Sequence, residues 1–285
     1  MRGVFDLNCD VGESFGAWVM GNDAEVMRHV TSANIACGVH ASDPGVMRRT
    51  AWLCKQYGVM AGAHPGYPDL QGFGRRRMDM ERGEIIDWVI YQVGALRGFT
   101  SLAGIPLRHV KLHGALYNRV SQEEELLLDI AGAVRGAFGD VVFVTLASPA
   151  SGELKQRFRS SGVRVALEAF PDRAYTEEGA LVARGHEGAV IKDARIIASR
   201  LASTPVAFRR VIPGAAGAVR PWTSTSRIRV PSPADKMTLP GRWEYPRWRK
   251  SPAGSVISMS PLSLISKIPS SLVAPKRFFA ARMSR

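Results

Sequence analysis

The chain has 285 residues, 46% of them hydrophobic, and a formal net charge of +13, so it can bury a sizeable core as one large domain or two ordinary ones. No stretch approaches the roughly 18 uninterrupted apolar residues of a membrane span, and the N-terminal "MRGVFDLNCD" lacks an apolar leader core; neither a membrane protein nor a secreted one is expected, and a cytoplasmic location follows. Cys9, Cys37 and Cys54 form no C-x-x-C pair, and an odd count is a poor disulfide framework, so they read as reduced thiols packed near strand ends.

The positive charge is localised. Residues 206–285 hold 15 Lys and Arg against Asp235 and Glu244, together with 10 prolines and 12 serines. Residues 1–205 are therefore balanced. The sequence divides into a barrel-forming domain over 1–205 and a basic Pro/Ser/Arg-rich tail over 206–285, whose composition resists a packed core. Such a tail attracts polyanions without specificity, and a polyanion-binding arm is one reading of it. It has no repeat, amphipathic period or aromatic platform, so no specific nucleic-acid partner is expected.

Within 1–205, short β-branched runs alternate with segments of helical period, the pattern of βα units. Strands are expected at 4–9, 32–37, 58–63, 108–113, 141–147, 163–169 and 188–192. Seven strands are enough to curl into a barrel. A helix is expected over 79–98, where Ile85, Ile86, Val89, Ile90 and Val93 recur at three and four residues. Another begins near Ser121, with Glu124 three residues later as a capping box.

Alternation along the first strand sends Asp6, Asn8 and Asp10 to one face and Phe5, Leu7 and Cys9 to the other. The same reading groups His109, Lys111 and His113 opposite Val110 and Leu112. His40 follows the second strand, His64 ends the third, and Glu168 lies near the end of the sixth. Polar groups thus collect at the C-terminal ends of five strands, where βα barrels place their active sites. Asp10, His40, His64 and His113 are candidate ligands for a divalent metal, and the same mixture suits acid–base chemistry. The loop "GAHPGYPDLQGFGRRR" offers the N–H groups of Gly72 and Gly74 and the charges of Arg75 to Arg77 to a phosphate or carboxylate, or is a solvated turn. No Walker sequence and no G-x-S-x-G elbow are present.

Five ordered stretches, "DLNCDVGESFG", "NIACGVHASDP", "GAHPGYPDLQGFGRR", "VKLHGALYN" and "EAFPDRAY", resemble the LamB/YcsF family, whose characterised members are 5-oxoprolinase A subunits. The resemblance runs from about residue 4 to about residue 203. It implies a distorted (β/α) barrel related to the glycoside hydrolase and deacetylase barrels. It also implies ATP-dependent opening of the lactam 5-oxoproline to glutamate, with ADP and phosphate as co-products and with partner subunits B and C. Matching positions point to Asn8, Asp10 and Glu13, to His40 and Asp43, and to His64. They continue with Lys111, His113 and Tyr117, then Glu168, Asp172 and Arg173.

From the chemistry, Asp10, His64, Lys111, His113 and Glu168 are the expected catalytic set. Asn8, Glu13, His40, Asp43, Arg75, Tyr117, Asp172 and Arg173 are the expected binding residues. Lys111 can hold a carboxylate or phosphate while Asp10 or Glu168, with His113 or His64, moves protons. ATP, shared with partner subunits, and a divalent metal are the expected cofactors. A metal-dependent deacetylase or other amidohydrolase is the alternative activity.

Two departures from the family pattern are small, Pro171 for an alanine and Leu112 for a proline. A third is large. Near residue 204 the family continues to a last strand with a His-Gly-Asp motif, whereas here no histidine follows His186. The break resembles out-of-frame translation and predicts a barrel with an unpaired edge where the closing strand belongs, which would put activity in doubt.

Overall fold

The computed structural model describes residues 5–148, 151–200 and 255–259; the expectations for 206–254 and 260–285 lie outside the described residues. Parallel strands run in chain order: β1 (Phe5–Val11), β2 (Ser32–Ala36), β3 (Met60–His64), β4 (Leu107–Lys111), β5 (Val142–Leu146), β6 (Arg164–Ala169) and β7 (Ser255–Met259). They close into a barrel in that order. Among the helices between them are α1 (Asp23–Val26), α2 (Pro44–Tyr57), α3 (Arg82–Leu102), α4 (Gly114–Val120), α5 (Glu124–Phe138) and α6 (Ser151–Ser160). No helix among the described residues is long and apolar enough to cross a membrane.

Local chemistry sets the element ends. Asp43 caps α2 by accepting the Val46 N–H at 2.9 Å, Pro44 occupies the first turn where a missing N–H is harmless, and Gly58 ends the helix in a left-handed conformation. Outward-facing strand residues such as Cys9, Ile35, Ala63, Val110 and Phe143 pack with Val89, Val93 and Leu96 of α3 and Leu127 and Ile130 of α5 in the main core. This apolar layer between sheet and helices is the source of most of the burial that stabilises a barrel of this kind.

Four expectations need correction. Residues 188–192 form no strand; Val190 makes one isolated bridge to Arg173, and the Ile191 N–H donates to the Asp172 carbonyl at 2.8 Å. The seventh strand is instead β7, from the span kept out of the barrel on composition, and it pairs in parallel with both β6 and β1. The edge between β6 and β1 is therefore filled. The capping box also fails: Ser121 ends α4 and its hydroxyl donates to the Asn118 carbonyl, while Glu123 precedes α5 without a side-chain cap bond. Helix α3 starts three residues later than its periodicity suggested and extends past Gly98 until Gly104, at φ +73°, turns the chain.

The barrel interior has two characters. From β1 to β4 it is lined by Asn8, Asp10, Asn34, His64, His109 and Lys111, whereas Val142, Val144 and Ala166 form a separate small apolar cluster on the β5–β6 side. The polar half carries the site.

Candidate active site

The floor of the site is a buried amide network. Register aligns Asp10 with Asn34, Asn34 with Gly62, and Gly62 with His109 across four strands. Asn34 Nδ2 donates to Asn8 Oδ1 at 2.7 Å and to Asp10 Oδ1 at 2.8 Å, and its own Oδ1 lies 2.7 Å from His109 Nε2. Since an amide oxygen can only accept, His109 Nε2 carries the proton. Gly62 is required here: a Cβ on it would stand 2.0 Å from that nitrogen.

Above the floor, Lys111 bridges two carboxylates. Its Nζ is 3.1 Å from Asp10 Oδ1 and 3.2 Å from Glu168 Oε2. Burial alone would lower the Lys111 pKa, but Asp10 and Glu168 reverse this and raise it, so the ammonium is held charged. Burial would raise Asp10 in turn, and His64 and Lys111 instead hold it well below the usual carboxylate range. The Tyr117 phenol, pushed well up by burial and by nearby Glu168, stays protonated.

Three imidazoles form the wall. His64 Nδ1 donates to the Lys111 carbonyl at 2.7 Å, which leaves Nε2 facing Asp10 Oδ2 at 3.4 Å and His113 Nδ1 at 3.0 Å. His113 Nε2 donates to the Phe73 carbonyl at 2.8 Å. Phe73 adopts φ +55°, a left-handed conformation uncommon for an aromatic residue, and so aims that carbonyl at the histidine. His40 stacks on His113 with ring centroids 3.9 Å apart and planes 5° from parallel. Both of its nitrogens are buried without a hydrogen-bond partner among the described residues. Burial first, and the neighbouring histidines second, lower the pKa values of His40 and His113 well below the ordinary imidazole value, so both rings are neutral. Close packing fixes the pair: a Cβ on Gly74 would come within 2.9 Å of both rings' residues.

A cavity of about 250 Å³ opens over this constellation, lined by Asp10, His64, Lys111, His113, Tyr117 and Phe170, with Arg75 and Arg173 at its sides. Arg173 is fixed by bonds from its guanidinium to the Val182 and Ala189 carbonyls at 2.6 and 3.2 Å. Arg75 packs over the Phe73 ring. The glycine-rich loop does not present an anion nest: the Gly72 N–H donates to the Asp69 carboxylate, the Gly74 N–H to the Asp69 carbonyl, and Arg76 pairs with Asp69. Only Arg75 of the three arginines reaches the cavity lining.

Most expected site residues meet. Asp43 does not, since its carboxylate is spent on the Val46 and Gly16 N–H groups. Asp172 is buried but does not line the cavity. Asp10 clusters with His64 and His113, whereas Glu13, whose pKa burial and then Asp10 push up to about 8, clusters with His40 and His113, so the four candidate ligands Asp10, His40, His64 and His113 do not form one group. Three residues escaped the sequence reading. Asn34 was visible as a polar residue at an inward position of "SANIA"; Phe73 and Gln92, which holds Gly66 by two backbone hydrogen bonds, gave no such signal.

The LamB/YcsF family profile matches residues 5–211. This chain belongs to that family. Among its relatives is a protein of Pyrococcus abyssi named as the A subunit of 5-oxoprolinase, 50% identical over 198 residues, which are 70% of this chain and 76% of that protein. A protein of Tolumonas auensis with the same name is 50% identical over 187 residues, 66% of this chain and 73% of that one. A solved structure, of a lactam utilization protein from Thermus thermophilus, superposes with a TM-score of 0.64 at 43% identity and covers 70% of this chain and 79% of its own. The word "subunit" in the relatives' names places those proteins in multi-subunit assemblies.

Proposed function

We propose that this chain is the A subunit of an ATP-dependent 5-oxoprolinase and holds the site where the lactam is opened. The observation that carries the reading is the cavity itself: an Asp–Lys–Glu bridge and a histidine pair at its base, with Arg75 and Arg173 at its sides, in a chain 50% identical over 198 residues to a protein of that name. At about 250 Å³ the cavity suits a five-membered ring with one carboxylate.

The chemistry follows from the poor electrophilicity of an amide. Transfer of the γ-phosphoryl group from ATP to the lactam oxygen, with release of ADP, makes the carbonyl carbon attackable. Water then adds there, the C–N bond breaks, and the acyl phosphate formed is hydrolysed by a second water to glutamate and phosphate. Arg75 and Arg173 receive the substrate carboxylate or the phosphoryl oxygens. Lys111 stabilises oxyanion charge, and the His64–His113 pair takes the proton of the attacking water and returns one to the departing nitrogen. Partner subunits B and C supply the rest of the assembly, including a share of the ATP site.

The test is glutamate release from 5-oxoproline with ATP by the purified chain mixed with subunits B and C. Turnover that requires all three proteins and disappears in Asp10→Ala and His113→Ala supports the assignment. Full turnover without this chain, or in both variants, refutes it.

A further inference from the structure

The histidine pair poses a question that the lactam chemistry leaves open. Carbonyl oxygens accept and never donate, so the contacts of His64 Nδ1 with the Lys111 carbonyl at 2.7 Å and of His113 Nε2 with the Phe73 carbonyl at 2.8 Å fix a proton on each of those nitrogens. The other two nitrogens, His64 Nε2 and His113 Nδ1, face one another at 3.0 Å, and Asp10 Oδ2 lies 3.4 Å from His64 Nε2. These three atoms cluster as the ligand atoms of one ion would.

From this geometry we infer that Asp10 Oδ2, His64 Nε2 and His113 Nδ1 bind one divalent transition-metal ion of the zinc class, at the base of the cavity. With metal–ligand bonds of about 2.1 Å, ligand atoms 3.0 Å apart subtend about 90° and ligand atoms 3.4 Å apart about 108°. These two separations therefore match two edges of one coordination sphere. Outer contacts of the kind that orient metal ligands are in place: each histidine donates its one N–H to a carbonyl, and Asp10 Oδ1 is occupied by Asn34 and Lys111, which turns Oδ2 toward the imidazoles. The donor set of two nitrogens and one carboxylate oxygen suits zinc rather than calcium or magnesium. All three residues line the cavity, so the remaining coordination position opens toward substrate, the arrangement of catalytic rather than structural zinc. His40, stacked on His113 with both nitrogens unpartnered among the described residues, packs flat against that ring.

Binding of the ion stands on the geometry alone; its use in activating water at the lactam carbon rests on the function proposed above, where it would supply a hydroxide at neutral pH and so take over from the histidine pair the deprotonation of the attacking water. The test strips the full chain with a chelator, removes the chelator, and reloads it with Zn²⁺ or Co²⁺ alone. One equivalent bound per chain, with a cobalt absorption spectrum and a zinc X-ray absorption signature of two imidazoles, is expected. Asp10→Asn and His113→Gln should weaken binding by on the order of 100-fold, while His29→Gln and His186→Gln, at residues away from the cavity, should not change it. Circular dichroism separates lost binding from lost folding, and if both ligand variants unfold, the imidazole signature of the unaltered chain decides. No uptake by the unaltered chain, or equal uptake by folded ligand variants, overturns the inference. Lactam turnover that survives complete metal removal overturns the catalytic use and leaves the function standing; tight metal binding in a chain inactive with subunits B and C does the reverse.

Discussion

Replacing Gly62 by alanine adds one methyl group to β3 and tests whether the amide floor is as tightly built as the distances indicate. The new Cβ would stand 2.0 Å from His109 Nε2 and 2.3 Å from its Cε1, more than 1 Å inside the usual contact of about 3.5–4.0 Å. The neighbour is a buried ring held at 2.7 Å to Asn34, so relief requires the ring to swing away or β3 and β4 to separate. Overpacking of this kind costs about 1–3 kcal/mol, and orphaning the Asn34 oxygen adds about 1–3 kcal/mol. The expected loss is about 2–6 kcal/mol, set against a typical stability of roughly 5–15 kcal/mol. Urea denaturation followed by tryptophan fluorescence measures it, and a cycle with His109→Ala isolates the contact. In the His109→Ala background Gly62→Ala should cost less than about 1 kcal/mol, since its collision partner is gone. A Gly62→Ala chain within about 0.5 kcal/mol of the original, or an equal cost in both backgrounds, would refute the close approach of these two strands inside the barrel.

The same histidine makes stability pH-dependent: burial, then Lys111, lowers His109 to about 3, so the folded ring is neutral while the unfolded one titrates near ~6.5. Below that pH the unfolded chain binds the extra proton, and stability from this group alone should fall by about 1 kcal/mol between pH ~6.5 and ~5.5; an unchanged pH slope in His109→Leu would disprove the attribution. Lys111→Met removes the cation between Asp10 and the fully buried Glu168 and should destabilise by about 3–5 kcal/mol. Adding Glu168→Gln should recover much of that loss in thermal melting, and no recovery would mean the bridge is not what stabilises the pair. Gln92→Leu strands the Gly66 N–H and carbonyl at a cost of about 2–4 kcal/mol. It should also speed proteolysis within residues 65–80; unchanged cleavage there would show that Gln92 does not hold the loop.

The sequence was most legible where a single rule governs a position. Strand alternation alone placed Asp6, Asn8 and Asp10 on the inward face of β1 and His109 and Lys111 on that of β4, because the side-chain period of a strand leaves no other choice once one face is apolar. The C-terminal ends of parallel strands then brought His64, Lys111, His113 and Glu168 together. It was least legible where one residue is claimed by two competing structural roles. Whether Ser121 caps α5 depends on the turn that ends α4, and the capping pattern cannot see that competition. That Asp43 serves a helix rather than the cavity was local in its bond to Val46 but non-local in its bond to Gly16. Composition failed in a different way at β7: it described the average of 80 residues, while five of them, "SVISM", have the β-branched character that completes a sheet.

The Phe73 carbonyl is the instructive extreme. Nothing in "QGFGRRR" marks Phe73 as a site residue, and its left-handed backbone is a conformation that phenylalanine resists. Yet that conformation sends the carbonyl to His113 Nε2, fixes which nitrogen of that ring is bare, and so determines what the cavity can hold. Gly74 follows directly because the loop must pass within contact of His40 and His113, and Gly114 because a Cβ there would meet the Gly74 carbonyl at 2.4 Å. The glycines that read as looseness in the sequence are the condition for bringing a backbone oxygen onto an imidazole. An orientation so dependent on close approach is a property of the folded loop, and the tautomer of His113 and the packing of His40 against it both depend on it.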